Sequence, residues 1–319
     1  MKKNLLILLC LALLLTLAAC GTPAADRDRL QVVATLFPQY DFARNIALER
    51  ADVELLLDFG ADAHSYDPTP ADIITIAKAD LLIYTGGDME LWAEKLLASA
   101  DIQKAIESGS LRVLDLSQSV ELLCLHEHDE DDHDHDHDHD HDHGEYDPHI
   151  WTSPKNAVLM CNAIADTLSA IDGEGADAYA QNLAAYTDEL AALDASLADM
   201  AASARLSECC FGGSFAFAYL FHDAGLSHVS VFEGCASHAE GSVADIAAVV
   251  GAVKASGASY VLYDSPSEQK TAQTIASETG TELLRLHAIH NITKQEFDAG
   301  EDFCSLMRQN IEVLRKALG

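Results

Sequence analysis

The stretch 176–205 constrains this chain more than any other part of it. It is rich in alanine and leucine, with scattered acids, and reads as one helix of roughly thirty residues, unusually long for a globular domain. No sustained heptad is evident in it, so a coiled coil is the weaker reading. A single stiff rod with a folded unit at each end fits better. Strand and helix signals alternate on both sides of the rod. Before it, 31–36, 53–57, 81–84 and 112–116 read as strands, with helices over 38–48, from Pro70 after the hydroxyl cap Thr69, and over 90–99. Ser153-Pro154 repeats that helix-start pattern and opens a helix to Ile171. Beyond the rod, helices over 215–224, 243–255, 268–278 and 302–318 alternate with strands over 228–232, 259–263 and 282–286. Alternation of this kind predicts parallel sheets covered by helices. The expected architecture is α/β: a lobe over 31–172, a connecting rigid helix over 173–205 and a second lobe over 206–319.

The first twenty residues bear on compartment rather than fold. Lys2 and Lys3 precede an almost wholly apolar run over 5–17, which is an export signal rather than a spanning helix. The run ends in LAAC, which resembles a bacterial lipobox. Residues 1–20 are therefore expected to be a lipoprotein signal peptide, with Cys20 the lipidated start of the mature chain and 21–30 a short tether. The alternative is an ordinary cleavable signal with an incidental cysteine. Lipidation would anchor the protein outside the cytoplasm at the bacterial cell membrane.

Fifty-two acids against nineteen bases give a net charge of −33. That balance argues against nucleic acid and anionic lipid as partners and suits cations. The remaining mature cysteines, Cys124, Cys161, Cys209, Cys210, Cys235 and Cys304, show neither CxxC spacing nor a dense framework. A single bridge, involving Cys235 for example, stays open.

Histidine carries the chemistry. His126, His128, His133, His135, His137, His139, His141 and His143 fall in one run, almost all alternating with aspartate. The run has no apolar residue to bury and cannot fold by burial. Two further histidines share one local setting. His64 lies in GADAHSYDP, after a strand and six residues before Pro70; His149 lies in DPHIW, five before Pro154. Both occupy strand-to-helix loops, which line the ligand crevice of an open α/β sheet. Both have aspartate nearby (Asp62 or Asp67; Asp147), as a metal-binding imidazole needs to fix its tautomer. A lone loop histidine is more simply a solvated polar residue. Two in matched settings read as metal ligands.

GADAHSYDPTPAD, the His-rich acidic loop, DPHIWTSPKNA and the long helix together resemble the zinc- and manganese-binding lipoproteins of metal ABC importers, the ZnuA/AdcA/TroA-like family. The likeness covers nearly the whole mature chain. It implies two pseudo-symmetric α/β lobes, a rigid connecting helix and one metal in the cleft between them, with His64 and His149 as the first two ligands. The second lobe departs from the family pattern. Ser214 stands where the third histidine is usual, and the fourth position, usually Asp or Glu, falls within LHAIH. His287, at the strand's end, is the preferred third ligand, with His290 the other candidate. His238 is weaker, and His222 is expected on the solvent face of its helix.

Several neutral imidazoles with a fourth position for water, His290 or a carboxylate suit tetrahedral Zn2+; Mn2+ would prefer more oxygen donors. The expected function is zinc capture and delivery to an ABC permease and its ATPase, by a monomer. The His/Asp run would act as a secondary metal-collecting loop, or else is a tolerated insertion. Two rivals remain. A zinc hydrolase could use the same ligands, but HExxH and GxSxG are absent, and only Glu233, Asp264 and Glu268 offer a base. A surface adhesin or metal buffer could use the same fold and anchor. The long helix also predicts capture without wide domain closure.

Overall fold

The computed structural model describes residues 29–124, 146–233, 242–265 and 268–319. Cys20, the eight histidines of the His/Asp run, Cys235 and His238 lie outside the described residues.

The first lobe runs β1 (Leu30–Ala34), α1 (Phe37–Ala47), β2 (Ala51–Leu55), α2 (Pro70–Ala77), β3 (Leu81–Tyr84), α3 (Leu91–Leu97), α4 (Ala100–Glu107) and β4 (Arg112–Asp115). Its four strands are all parallel, in the order β2-β1-β3-β4. Val32 pairs with Val53 on one side and Leu81 on the other, so β1 is the buried centre of the sheet. The start of α2 is fixed locally. Thr69 and Asp72 form a reciprocal capping box, and Pro70 takes the first helical position. Two long helices follow, α5 (Pro154–Ile171) and α6 (Ala176–Ser203).

The second lobe holds β5 (Glu208–Cys210), β6 (Ser214–Phe215), α7 (Ala218–Ala224), β7 (Ser227–Val229), β8 (Phe232–Glu233), α8 (Val243–Ser256), β9 (Tyr260–Tyr263), α9 (Gln269–Thr279), β10 (Glu282–Arg285), α10 (Lys294–Asp298) and α11 (Phe303–Leu318). β5 pairs with β7 and β9 with β10, all parallel. The continuation of β5 joins the two pairs: Phe211 donates its N–H to Val229 and Gly212 donates to Leu262. The effective order β7-β5-β9-β10 repeats the first lobe's plan, with the first strand central, the second to one side and the next two to the other. Each lobe therefore has a topological switch point, between β1 and β3 and between β5 and β9. Ligands of open α/β sheets bind at the carboxyl edge there.

At 28 residues α6 is about 42 Å long. It lies along α5, α1 and α11. Its buried face, Tyr186, Leu190, Leu193, Leu197 and Met200, steps by four and three. That stripe is coiled-coil-like after all, hidden in the sequence because a tyrosine and a methionine share it with leucine and because exposed alanines blur its edges. Its partners are helices of the same chain. Phe303 packs edge-on against Phe42 at 4.8 Å, and the buried Asp41 of α1 accepts hydrogen bonds from Tyr186 of α6 and the Phe303 N–H of α11. Burial raises the Asp41 pKa, and the neighbouring Arg44 partly offsets this. One apolar core consequently runs through both lobes, and a smaller core, including Val249, Val253, Val261 and Ile275, lies under α8 and α9.

Elsewhere the sequence expectation needs adjustment. The segment expected to be helical from residue 215 begins as the strand β6, and its helix starts at Ala218. The strand β5, three residues long, was too short to register as a periodic pattern.

Candidate metal centre

Three loops converge where the carboxyl edges of the two sheets face each other. The first, between β2 and α2, carries His64. Asp62 accepts the His64 backbone N–H at 3.0 Å, so this aspartate shapes the turn. The second carries Asp147 and His149, both buried. Asp147 Oδ1 accepts the backbone N–H of His149 at 2.8 Å and lies 2.9 Å from His149 Nδ1. A carboxylate cannot donate, so this contact places the ring proton on Nδ1 and the lone pair on Nε2, the arrangement a metal-bound imidazole requires. Tyr219 supports the same loop from the second lobe, donating to the Asp147 carbonyl at 2.8 Å. The third loop follows β10 and carries His287 and His290.

The loops are tied together across the lobes by main-chain contacts. Phe37 donates its N–H to the His290 carbonyl, and Gly60 donates to Ile292. Asn291 Nδ2 donates to the carbonyls of Asp58 and Ala61 at 2.8 and 2.9 Å. Trp151 Nε1 donates to Ala288 at 2.7 Å. The His64, His149 and His290 loops thus form one hydrogen-bonded unit.

Within that unit the His64 and His149 rings stand 6.3 Å apart between centroids, at 62°. Two imidazoles on one zinc, with Zn–N of ~2.0–2.1 Å and tetrahedral angles, would bring their centroids to about 5 Å. The pair is therefore about an ångström wider than a closed site. His290 lies in the electrostatic field of His149, His287 and His64; burial first, then these neighbours, pushes its pKa down to about 3. An imidazole so placed is neutral at physiological pH and keeps a lone pair for a cation. Among the described residues no three His, Cys, Asp or Glu side chains stand close enough together, as placed, to hold a metal ion.

His287 and His290 face different surroundings. Ile289 sits between them at φ +61°, a left-handed conformation that a β-branched residue rarely adopts. On one side of this turn His287 is held to α11: its N–H donates to Asn310 Oδ1 at 2.8 Å, and Asn310 Nδ2 donates back to its carbonyl at 2.7 Å. Its Nδ1 accepts the Ile289 N–H at 2.9 Å. Its Nε2 is buried without a hydrogen-bond partner among the described residues, 3.7 Å from Glu296 Oε1. Burial and then Arg285 lower the His287 pKa, with Glu296 opposing them. His287 thus faces α11 and Glu296, whereas His290 lies in the field of His64 and His149.

The second lobe contributes two carboxylates. Asp264, at the end of β9, accepts the Ala288 N–H at 2.9 Å, and its field reaches His149. Burial raises its pKa to about 6. Glu268 accepts the Ser214 N–H at 2.8 Å, so Ser214 is pinned through its backbone. His222 is exposed at one end of a 3.9 Å contact with Asp223, as expected of a solvent-facing histidine. Asn291, Asn310 and Trp151 were not legible as site residues, because each acts through a main-chain group far away in sequence.

Two matched α/β lobes facing each other across an imidazole-lined cleft define a cleft-type binding protein. The family described as "Zinc-uptake complex component A periplasmic" matches residues 32–317, and the chain belongs to it. It is 32% identical over 316 residues, 99% of its length, to the zinc-binding lipoprotein AdcA of Streptococcus pneumoniae serotype 4, but spans only 61% of that relative. It is 31% identical to the high-affinity zinc uptake system protein ZnuA of Bacillus subtilis, covering 96% of this chain and 95% of that one. The Zn(II)-bound ZnuA-like domain of S. pneumoniae AdcA superposes with a TM-score of 0.74 at 28% identity, over 91% of this chain and 99% of that one.

Proposed function

We propose that this protein is the extracytoplasmic zinc-capturing component of an ABC uptake system, and that His64, His149 and His290 hold the ion. The observation that carries the reading is the buried Asp147–His149 pair, on a loop tied by hydrogen bonds to the loop of His290. Three neutral nitrogen donors suit Zn2+ better than Mn2+. The fourth position falls to water, His287 or an acid. His287 could serve only after changing tautomer, because its Nδ1 accepts the Ile289 N–H and its ring proton therefore sits on Nε2, toward Glu296. Family membership in a transport component and the use of Asp264 and Glu268 to hold backbone N–H groups both weigh against a hydrolase.

The wider reading follows from sequence. A lipid on Cys20 would hold the protein at the outer face of the cell membrane, and a permease with its ATPase would receive the ion. The protein would act as a monomer. The alternating His/Asp run would concentrate zinc near the cleft through many weak, fast-exchanging sites. The test is a zinc titration against a competing chelator, using protein that lacks residues 127–144 so that only the cleft reports. One tight equivalent is expected, weakened at least about 100-fold by His64→Ala, His149→Ala or His290→Ala, in keeping with the loss of a nitrogen ligand. Wild-type affinity in any two of these variants would overturn the assignment.

A further inference from the structure

The switch point of the first lobe, between β1 and β3, is filled by the protein's own side chains. Glu90 is 1% exposed and directs Oε2 at the backbone N–H groups of Thr85 (2.6 Å) and Gly86 (3.0 Å). The Thr85 hydroxyl accepts from Gln39 Nε2. Gln39 Oε1 in turn accepts from the Thr35 hydroxyl at 2.7 Å and from the N–H groups of Thr35 and Leu36 at 3.1 and 2.9 Å. All of Thr35, Gln39, Thr85 and Glu90 are buried. Such a network is rigid because each member left unpaired would cost the desolvation of a buried polar group.

Three arms leave this network, one toward each loop of the cleft. The Gly86-Gly87 turn, pinned by Glu90, lies under the His149 loop. A Cβ on Gly87 would come within 3.2 Å of the Tyr146 ring and 3.3 Å of Pro148, the residue before His149. Two residues past Glu90, Trp92 Nε1 donates to the carbonyl of Ala63, the residue before His64, at 3.2 Å. From the other side, the Thr35-Leu36 segment held by Gln39 leads directly to Phe37, whose N–H donates to the His290 carbonyl. Glu90 is the only ionisable member of the network. No basic residue pairs with it in the described structure, and its Oε1 has no hydrogen-bond partner there.

We infer that Glu90 is a positioning residue for the metal centre: with Gln39, Thr85 and Trp92 it sets the relative placement of the His64, His149 and His290 loops, and hence zinc affinity. The inference rests on the ligand set proposed above and adds to it a cause for the site's geometry. It also accounts for an acid kept in a core where leucine would pack.

The experiment compares Glu90→Leu, Glu90→Gln, Trp92→Phe and Gly87→Ala, reading zinc affinity by chelator competition and the visible spectrum of the Co2+-loaded cleft, with residues 127–144 removed throughout. Val253→Ala, in the separate core under α8, serves as a control for general destabilisation. Glu90→Leu is expected to lose ~10–100-fold in zinc affinity, the usual cost of removing support behind a ligand, and to alter the cobalt bands. Glu90→Gln keeps an acceptor for the Thr85 and Gly86 N–H groups and should recover most of the affinity. Gly87→Ala forces the Tyr146–Pro148 contact at φ +65° and should disturb the cobalt spectrum by itself. Trp92→Phe and Gly87→Ala carry the test if Glu90→Leu does not fold. Wild-type affinity and cobalt spectrum in the folded variants, or losses no larger than those of Val253→Ala, would overturn the inference. Failure of the unmutated cleft to bind zinc would instead overturn the ligand assignment.

Discussion

Replacing Asp147 separates the geometry of the metal centre from its mere composition. One oxygen of this buried carboxylate takes both the backbone N–H and the Nδ1–H of His149, at 2.8 and 2.9 Å. With Ala at 147 the imidazole is free to change tautomer and turn, and the zinc must impose what the aspartate now supplies. A hydrogen bond to a charged group is worth about 1.5–3 kcal/mol, equivalent to about 10–100-fold in affinity. Asp147→Ala should therefore weaken zinc binding by that factor. Asn retains an acceptor oxygen for Nδ1–H but not the charge, so Asp147→Asn should lose about tenfold. The assay is competition with a fluorescent chelator, on protein lacking residues 127–144 and checked for folding by thermal melting. A folded Asp147→Ala protein with undiminished affinity would refute the argument that a carboxylate prepares His149 for a metal.

Three further outcomes follow from the same contacts. His287→Ala should cost less zinc affinity than His290→Ala, because the ring of His287 braces the Ile289 turn through its Nδ1; equal losses in the titration would make His287 a ligand as well. Burial raises the Glu90 pKa from 4.5 to about 7, so the folded state binds this proton more tightly than the unfolded chain does. Its contribution to stability is full below about pH 4.5 and is lost as pH rises toward 7, by up to about 3 kcal/mol; urea melts of Glu90→Gln should lack this loss relative to wild type between pH 5 and 8. Deleting residues 127–144 should leave the tight equivalent unchanged but slow zinc acquisition from a strong chelator, and equal rates in stopped-flow mixing would remove the collecting role.

How much of this was legible in the sequence depends on whether the signal was local. The His64 and His149 loops announce themselves because proline, aspartate and a helix cap lie within a few residues of each imidazole. The connector announces itself by length. The proposed preference for His290 over His287 was not legible, since it rests on Ile289 adopting a left-handed conformation, and no propensity assigns that to a β-branched residue. Proximity to the strand end favoured His287, whereas the turn and the Asn310 clasp direct it toward α11 and Glu296. Glu90 was invisible for a related reason. In sequence it is one acid near a helix start, and only the sheet's switch point brings it under three loops distant along the chain. The repeated strand order of the second lobe was likewise obscured by the shortness of β5 and β6.

The lobes are fused at the cleft as well as along α6, and this bears on how an ion would leave. Among the described residues, five of the hydrogen bonds between the lobes tie the His290 loop to the first lobe: Phe37 to His290, Gly60 to Ile292, two from Asn291, and Trp151 to Ala288. At about 0.5–1.5 kcal/mol each, parting them would cost on the order of 5 kcal/mol even before apolar contacts separate. Spontaneous opening is then rare, on the order of one molecule in several thousand, and a permease that replaces these bonds would accelerate release. Asn291→Ala removes two of the five. With about 2 kcal/mol less holding the cleft shut, zinc should dissociate about 10–30-fold faster into excess chelator, while the radius of gyration stays the same with and without zinc. An unchanged dissociation rate would mean that the ion escapes without parting the loops, and a large contraction on adding zinc would mean that the lobes swing despite the helix between them.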